Sequence, residues 1–136
     1  MTSLTEIYGE VISGYSRAQA IEDGQLVDVS DRTRRAFRFP VALTRAVYTD
    51  CVEWPEDDMQ AMQDQTGRLS DVIWMARCAI RRVSEADGPA DRVPVFLYRI
   101  PRDGHSTEPQ LVELVAVCGP GDDMEPVITI QFPGED

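Results

Sequence analysis

Carboxylates are the side chains of this chain best suited to bind a charged partner. Many of them lie in two stretches without a basic residue, residues 51–67 and 103–136. Two carboxylates on one face of a strand lie about 6.6–7 Å apart, which is of the order of the phosphate spacing along a nucleic-acid strand. Rows of acids can therefore occupy a groove built for DNA or RNA and face its arginines and lysines. The candidate partner-binding residues are Glu53, Glu56, Asp57, Asp58, Asp64, Asp122, Asp123 and Glu125.

These acids also have simpler interpretations, which the sequence leaves open. The acids that follow Trp54 and Pro55 suit the first turn of a helix, because they meet the positive end of its dipole. The acids in residues 119–126 lie in a glycine-rich turn, where they can be solvated or can ligate a hard cation such as calcium. Surface acids also keep a small protein soluble.

The charge balance indicates what kind of partner the chain attracts. The formal net charge is −11, and the basic residues are all arginines, the last of them Arg102. Such a surface repels nucleic acid and membrane phosphate and attracts basic protein surfaces. We expect the partner to present a basic protein surface of the kind that binds nucleic acid. We expect no direct contact with nucleic acid, no membrane association, and a monomer or weak dimer.

The cysteines and the single histidine form no catalytic or zinc motif. Cys51, Cys78 and Cys118 are widely spaced, and His105 falls in a polar stretch between two apolar ones. A nucleophilic thiol needs a nearby base, and a structural zinc site needs four nitrogen or sulfur ligands. The sequence therefore predicts no catalytic residue, no metal and no cofactor. An odd number of free thiols and the absence of a signal-peptide pattern at the N-terminus favour a cytoplasmic protein.

Arginines cluster in one segment, where Arg32, Arg34, Arg35 and Arg38 lie within seven residues. They can pair with the protein's own acids, contact a partner, or bind a nucleic acid or phosphorylated ligand. A low isoelectric point of about 4.4 argues against a nucleic-acid-binding domain. A rival hypothesis is a small enzyme acting on a nucleotide or phosphorylated substrate. Its candidate residues are Arg17, Asp23 and Arg35.

The elements that position these residues follow from caps and apolar spacing. With 136 residues, the chain is expected to form one domain over residues 1–136. Ser16 and Gln19 form a capping box that begins a helix ending at Gly24. Apolar residues at three- and four-residue spacing predict the longest helix over residues 70–83, which Gly67 separates from an acidic segment. A further short helix is expected over residues 44–52, and strands over residues 26–29, 93–100, 111–118 and 127–132.

Together these elements predict a single α+β domain. Short N-terminal helices and one longer central helix pack on a C-terminal three-stranded antiparallel meander.

Several segments resemble an uncharacterised family of small proteobacterial proteins often encoded on plasmids and integrative elements. They are residues 15–30, 39–44, 63–69, 98–104, 118–122 and 125–130. The resemblance covers nearly the whole chain and implies no catalytic residues. It implies an aromatic residue at position 70, where this chain has Ser70.

The leading functional hypothesis combines this resemblance with the charge. Small acidic proteins on mobile elements often protect the element by blocking a nucleic-acid-binding surface. We therefore expect an inhibitor of a host defence complex, of the anti-CRISPR or anti-restriction type, that mimics nucleic-acid phosphates. The nucleotide-dependent enzyme and an antitoxin or assembly subunit are the alternatives. An assembly subunit would show an exposed apolar patch.

Overall fold

A computed structural model describes residues 15–55 and 63–135 as a mixed sheet with a long helix on one face. The candidate residues Glu56, Asp57 and Asp58 lie outside the described residues. The helices are α1 (Arg17–Glu22), α2 (Arg45–Val47), which continues into a π-helical turn (Tyr48–Val52), and α3 (Gln65–Asp87). The strands are β1 (Leu26–Asp28), β2 (Val41–Thr44), β3 (Arg92–Arg99), β4 (Gln110–Pro120) and β5 (Pro126–Gln131).

The sheet has five strands in the order β1-β2-β5-β4-β3. The predicted meander of β3, β4 and β5 is present, and each of its pairs is antiparallel. The prediction of a three-stranded sheet is wrong in extent, because β2 pairs parallel to β5 and β1 pairs antiparallel to β2. The sequence of β2 hides it, since Val41, Ala42 and Leu43 are all buried and show no alternation of apolar and polar residues.

Helix α3 packs on what we call the inner face of the sheet. Its predicted apolar stripe is buried, and it contacts the inward side chains of the strands. The α3 residues are Leu69, Val72, Ile73, Ala76 and Ala79, and their strand partners in the core include Val41, Leu43, Val93, Val95, Leu97, Leu114, Ala116, Ile128 and Ile130. These side chains form one continuous core between α3 and the inner face of the sheet.

The start of α3 differs from the prediction. The helix begins at Gln65, and the Asp64 carboxylate caps it by accepting a hydrogen bond from the Gly67 amide at 2.7 Å. Gly67 therefore lies in the first helical turn instead of separating two segments. The cap overrides the low helix propensity of glycine because it satisfies an amide that lacks a partner within the helix.

The predicted capping box is present at the start of helix α1. This helix lies on the opposite, outer face of the sheet. The Ser16 hydroxyl accepts from the Gln19 amide at 3.0 Å, and the Gln19 side chain accepts from the Ser16 amide at 2.9 Å. Gly24 has the positive φ, +82°, that the predicted helix end requires. The Arg17 guanidinium donates to the Thr129 hydroxyl and the Ile128 carbonyl, which fixes α1 over β5.

Candidate functional site

The outer face of the sheet is only partly covered by described residues. Helix α1 contacts β1 and is joined to β5 through Arg17, whereas β3 and β4 present large apolar side chains to solvent. Phe96 is 53% exposed, Tyr98 67% and Leu111 56%. The side chains of Val95, Leu97 and Leu114, at alternate positions of the same strands, are buried against α3. In an antiparallel hairpin with one buried face, the solvent face is normally polar, so large apolar side chains on that face are unusual.

Strand register brings these exposed residues together. Tyr98 lies directly opposite Leu111, and Phe96 lies directly opposite Glu113. Cross-strand neighbours on one face have Cβ atoms about 4.5–5.5 Å apart, so the four side chains form one patch. We call Phe96, Tyr98, Leu111 and Glu113 the open sheet face. A contiguous exposed apolar patch of this kind marks an interaction surface in many proteins.

Strand β3 lies at the edge of the sheet and carries a proline in its interior. Pro94 has no amide hydrogen to donate to an added strand. Prolines on edge strands discourage edge-to-edge pairing with a second chain. The patch therefore suits a partner that docks against the face of the hairpin more than one that extends the sheet.

Two of the three predicted acids of the β4–β5 turn, Asp122 and Glu125, form hydrogen bonds within the chain, whereas the Asp123 carboxylate accepts none from the described residues. The Asp122 carboxylate accepts hydrogen bonds from the Arg17 amide at 2.8 Å and the Ala18 amide at 3.0 Å, and so caps α1. These backbone hydrogen bonds lower the pKa of Asp122. Glu125 accepts from the Asp123 amide at 2.9 Å and closes the turn.

The predicted acids near the start of α3 are also engaged within the chain. Asp64 caps α3, and the Glu53 carboxylate lies 3.6 Å from the Arg102 guanidinium. This group lies at the β3–β4 hairpin end of the sheet, since Arg68 of α3 donates to the Ile100 carbonyl. The β4–β5 turn lies at the other end of β4, on the order of 30 Å away. The structure thus places those candidate acids that it describes in two separate groups.

Sequence reasoning did not single out the open sheet face. Residues 93–98 and 111–117 are apolar at nearly every position apart from Glu113, so they carry no clean alternation to show which side faces solvent. The available signal was Glu113 itself. A charged residue in the middle of an apolar strand indicates that its face, together with Leu111 two residues away, reaches solvent.

The residues proposed for catalysis are not assembled. Arg17 lines a cleft with Asp28 and Asp122, whereas Arg35 lines a different cleft against α3. The Asp23 carboxylate accepts a hydrogen bond from the Tyr15 hydroxyl at 2.9 Å.

Burial disfavours the reactive thiolate form at two of the cysteines, Cys51 and Cys118. Burial raises the pKa of the Cys51 thiol to about 12, and burial also raises the pKa of Cys118. His105 is exposed in the β3–β4 loop, with its Nε2 atom 3.7 Å from Asp103. In residues 15–55 and 63–135, no three histidine, cysteine or acidic side chains come together as a metal site. None of the helices in these two ranges combines the length and apolar content needed to cross a bilayer.

Comparison with known proteins places the chain in a family. No curated protein and no solved structure gives a significant match. A family model matches residues 5–136, which is almost the entire chain. The chain belongs to the Family of unknown function (DUF6573).

Proposed function

We propose that this protein is a non-enzymatic binding protein whose open sheet face docks on a basic protein surface. The observation that carries the proposal is the contiguous exposure of Phe96, Tyr98 and Leu111 on one face of the β3–β4 hairpin. Aromatic residues on a rigid strand pair anchor protein interfaces well, because they bury a large area with few rotatable bonds.

The charge of the chain selects the class of partner. Glu113 lies within the patch, opposite Phe96, and the chain as a whole carries a net charge of −11. Complementary charge speeds the encounter with a basic surface and disfavours acidic partners. A surface that normally contacts nucleic-acid phosphates has the required sign. We therefore propose a host nucleic-acid-binding defence complex as the partner and inhibition as the outcome.

The positions of the acids bear on how such inhibition would work. Asp64 and Asp122 accept hydrogen bonds from helix amides, and Glu53 faces Arg102, so these carboxylates already have partners within the chain. A continuous row of phosphate mimics receives little support from these residues. Apolar anchoring at the open sheet face, with the acidic surface steering the encounter, is the better-supported form of the proposal.

Affinity capture with a matched variant tests this function. The protein, immobilised through its C-terminus, is exposed to lysate from a cell that carries CRISPR and restriction systems, at low and high salt. The prediction is that a nucleic-acid-binding complex is retained at low salt and lost in the combined Phe96→Ser, Tyr98→Ser and Leu111→Ser variant. An Arg82→Ser variant on the exposed side of α3 serves as the control and should retain it. Equal retention by both variants would contradict the assignment of the face.

The same patch favours one alternative, an assembly subunit that pairs with a second copy of itself. Sedimentation of the purified protein separates the two functions. A stable dimer that the triple serine variant abolishes would assign the open sheet face to self-association. A monomer at all tested concentrations would leave the face available for a different protein.

A further inference from the structure

A second concave surface lies away from the open sheet face, between the arginine segment and the first half of α3. The cleft has a volume of about 850 Å³. Cavities of about 300–1,000 Å³ are typical of small-molecule sites. Because α3 packs on the inner face of the sheet, a ligand here would not compete with a protein docked on β3 and β4.

One wall of the cleft is cationic. Arg32, Arg34 and Arg35 line it, and Asp31 neutralises only Arg34, whose guanidinium lies 2.8 Å from the Asp31 carboxylate. Among the residues that the structure describes, neither Arg32 nor Arg35 forms an ion pair. The Arg32 guanidinium lies over the Tyr48 ring, with 5.9 Å between its Cζ atom and the ring centroid, a contact that leaves its charge without an acidic partner. Asp71 on α3 is the other acid of the lining, so the cleft keeps a small positive excess in a strongly acidic protein.

The opposite wall offers an aromatic surface. Trp74 of α3 lines the cleft with its side chain 56% exposed, while its neighbours Leu69 and Ile73 are buried and form the apolar floor. The hydroxyls of Thr66 and Ser70 line the same wall. The Arg77 guanidinium, which is not part of the cleft lining, lies over the Trp74 ring with 5.5 Å between its Cζ atom and the ring centroid. The remaining face of this solvent-exposed indole can stack on a flat ring.

These walls match a ligand with an anionic group at one end and a planar ring at the other. We propose that the cleft binds a nucleoside 5′-phosphate, with the base stacked on Trp74 and the phosphate bound by Arg32 and Arg35. Arginine suits this role because its planar fork of donors fits phosphate oxygens. Stacking on an aromatic side chain accepts any base, so the geometry selects the nucleotide class and not one base.

This site is distinct from the one considered for the rival enzyme. That hypothesis placed Arg17, Asp23 and Arg35 together, whereas the cleft contains Arg35 without the other two. The proposal is therefore one of binding, and it includes no chemical step.

Nuclear magnetic resonance of the indole N–H groups tests the proposal on the full chain. The protein has two tryptophans, and Trp54 is buried away from the cleft, so it serves as an internal control. Titration with adenosine 5′-monophosphate should shift the Trp74 indole signal and leave the Trp54 signal in place. A Trp74→Phe variant assigns the two signals. Movement of both signals, or of neither at millimolar nucleotide, would overturn the proposal.

Calorimetry with variants measures the contributions of the phosphate and of the base to binding separately. Arg35→Ala should weaken the binding of adenosine 5′-monophosphate roughly tenfold or more, since it removes a charge-assisted hydrogen bond. Trp74→Ala should weaken the binding of the nucleotide roughly tenfold, because the base loses its stacking surface. Arg82→Ala, an exposed arginine of α3 outside the cleft, should change nothing. If adenosine alone or inorganic phosphate alone binds as tightly as the nucleotide, the two-part site is wrong.

Discussion

The guanidinium of Arg68 lies over the indole of Trp54, with 4.7 Å between the arginine Cζ atom and the ring centroid. Arg68 is buried, and it donates hydrogen bonds to the backbone carbonyls of Asp50, Val52 and Ile100. One side chain of α3 thereby joins the end of the π-helical turn to the end of β3. Burial lowers the pKa of Arg68, and the surrounding carbonyl groups compensate for the lost water.

Replacing Arg68 should therefore destabilise the protein strongly. We expect Arg68→Met to cost about 3 kcal/mol in the free energy of unfolding, because it removes the donor of one buried and two partly buried hydrogen bonds to carbonyls. Urea denaturation followed by circular dichroism measures the loss. Arg82→Met on the exposed side of the same helix is the control and should change stability by less than about 0.5 kcal/mol. Similar costs for both variants would mean that the Arg68 contacts contribute little.

The cap that Asp122 supplies to α1 should make stability depend on pH. Its pKa is lowered in the folded protein, so its contribution is present above the unfolded pKa of about 3.9 and disappears as the pH falls through the folded value. Asp122→Ala should lower the thermal midpoint at pH 7, and the gap to the wild type should close as the pH falls below about 4. Thermal melts across this range provide the measurement.

Asp123 provides a matched control for this effect. It lies next to Asp122 in the β4–β5 turn, and its carboxylate accepts no hydrogen bond from the described residues. Asp123→Ala should leave the thermal midpoint and its pH dependence nearly unchanged. A gap that persists at low pH in the Asp122→Ala protein would show that the carboxylate charge does not matter.

Cys51 should be chemically inert in the folded protein. It is 1% exposed, and burial raises the pKa of its thiol from 9.0 to about 12. At pH 8 this shift alone reduces the thiolate fraction roughly a thousandfold, and thiolate is the reactive form. In a Cys78→Ser, Cys118→Ser background, reaction with a disulfide reagent should be slow in buffer and fast in urea. Rapid reaction in buffer would place Cys51 in contact with solvent.

Two leucines of β4 lie on opposite faces of the sheet, one in the core and one on the open sheet face. Leu114 points inward and is fully buried, whereas Leu111 lies on the outer face and is 56% exposed. Leu114→Ala should cost about 2–5 kcal/mol of stability, and Leu111→Ala should cost less than about 0.5 kcal/mol. Urea denaturation of the two variants makes the comparison. Equal costs would mean that the outer face of β4 is covered in the free protein.

Local signals in the sequence predicted much of the fold. The capping box at Ser16, the stripe on α3 and the three C-terminal strands are confirmed, because each depends on neighbours close in the chain. The pairing of β2 with β5 was missed, since a parallel pair depends on contacts between distant segments. The identity of the exposed face of β3 and β4 was missed for a related reason. Both faces of that hairpin are mainly apolar in sequence, with Glu113 as the one local sign of the exposed face, and the packing of α3 buries the other face.

The candidate acids show the limit of inference from composition. Asp122 forms its hydrogen bonds with an element more than a hundred residues earlier in the chain, which no local pattern reveals. Charge indicated the kind of partner, whereas the geometry of the hairpin indicated where an apolar anchor can form.

The most direct test of the open sheet face is site-specific photo-crosslinking in a cell with CRISPR and restriction systems. A benzophenone amino acid replaces Tyr98 in one protein and Arg82, on the exposed side of α3, in a control. Docking through the open sheet face predicts that position 98 crosslinks to a basic, nucleic-acid-binding protein and that position 82 does not. Crosslinks of equal yield from both positions, or crosslinks from position 98 only to a second copy of this chain, would contradict it.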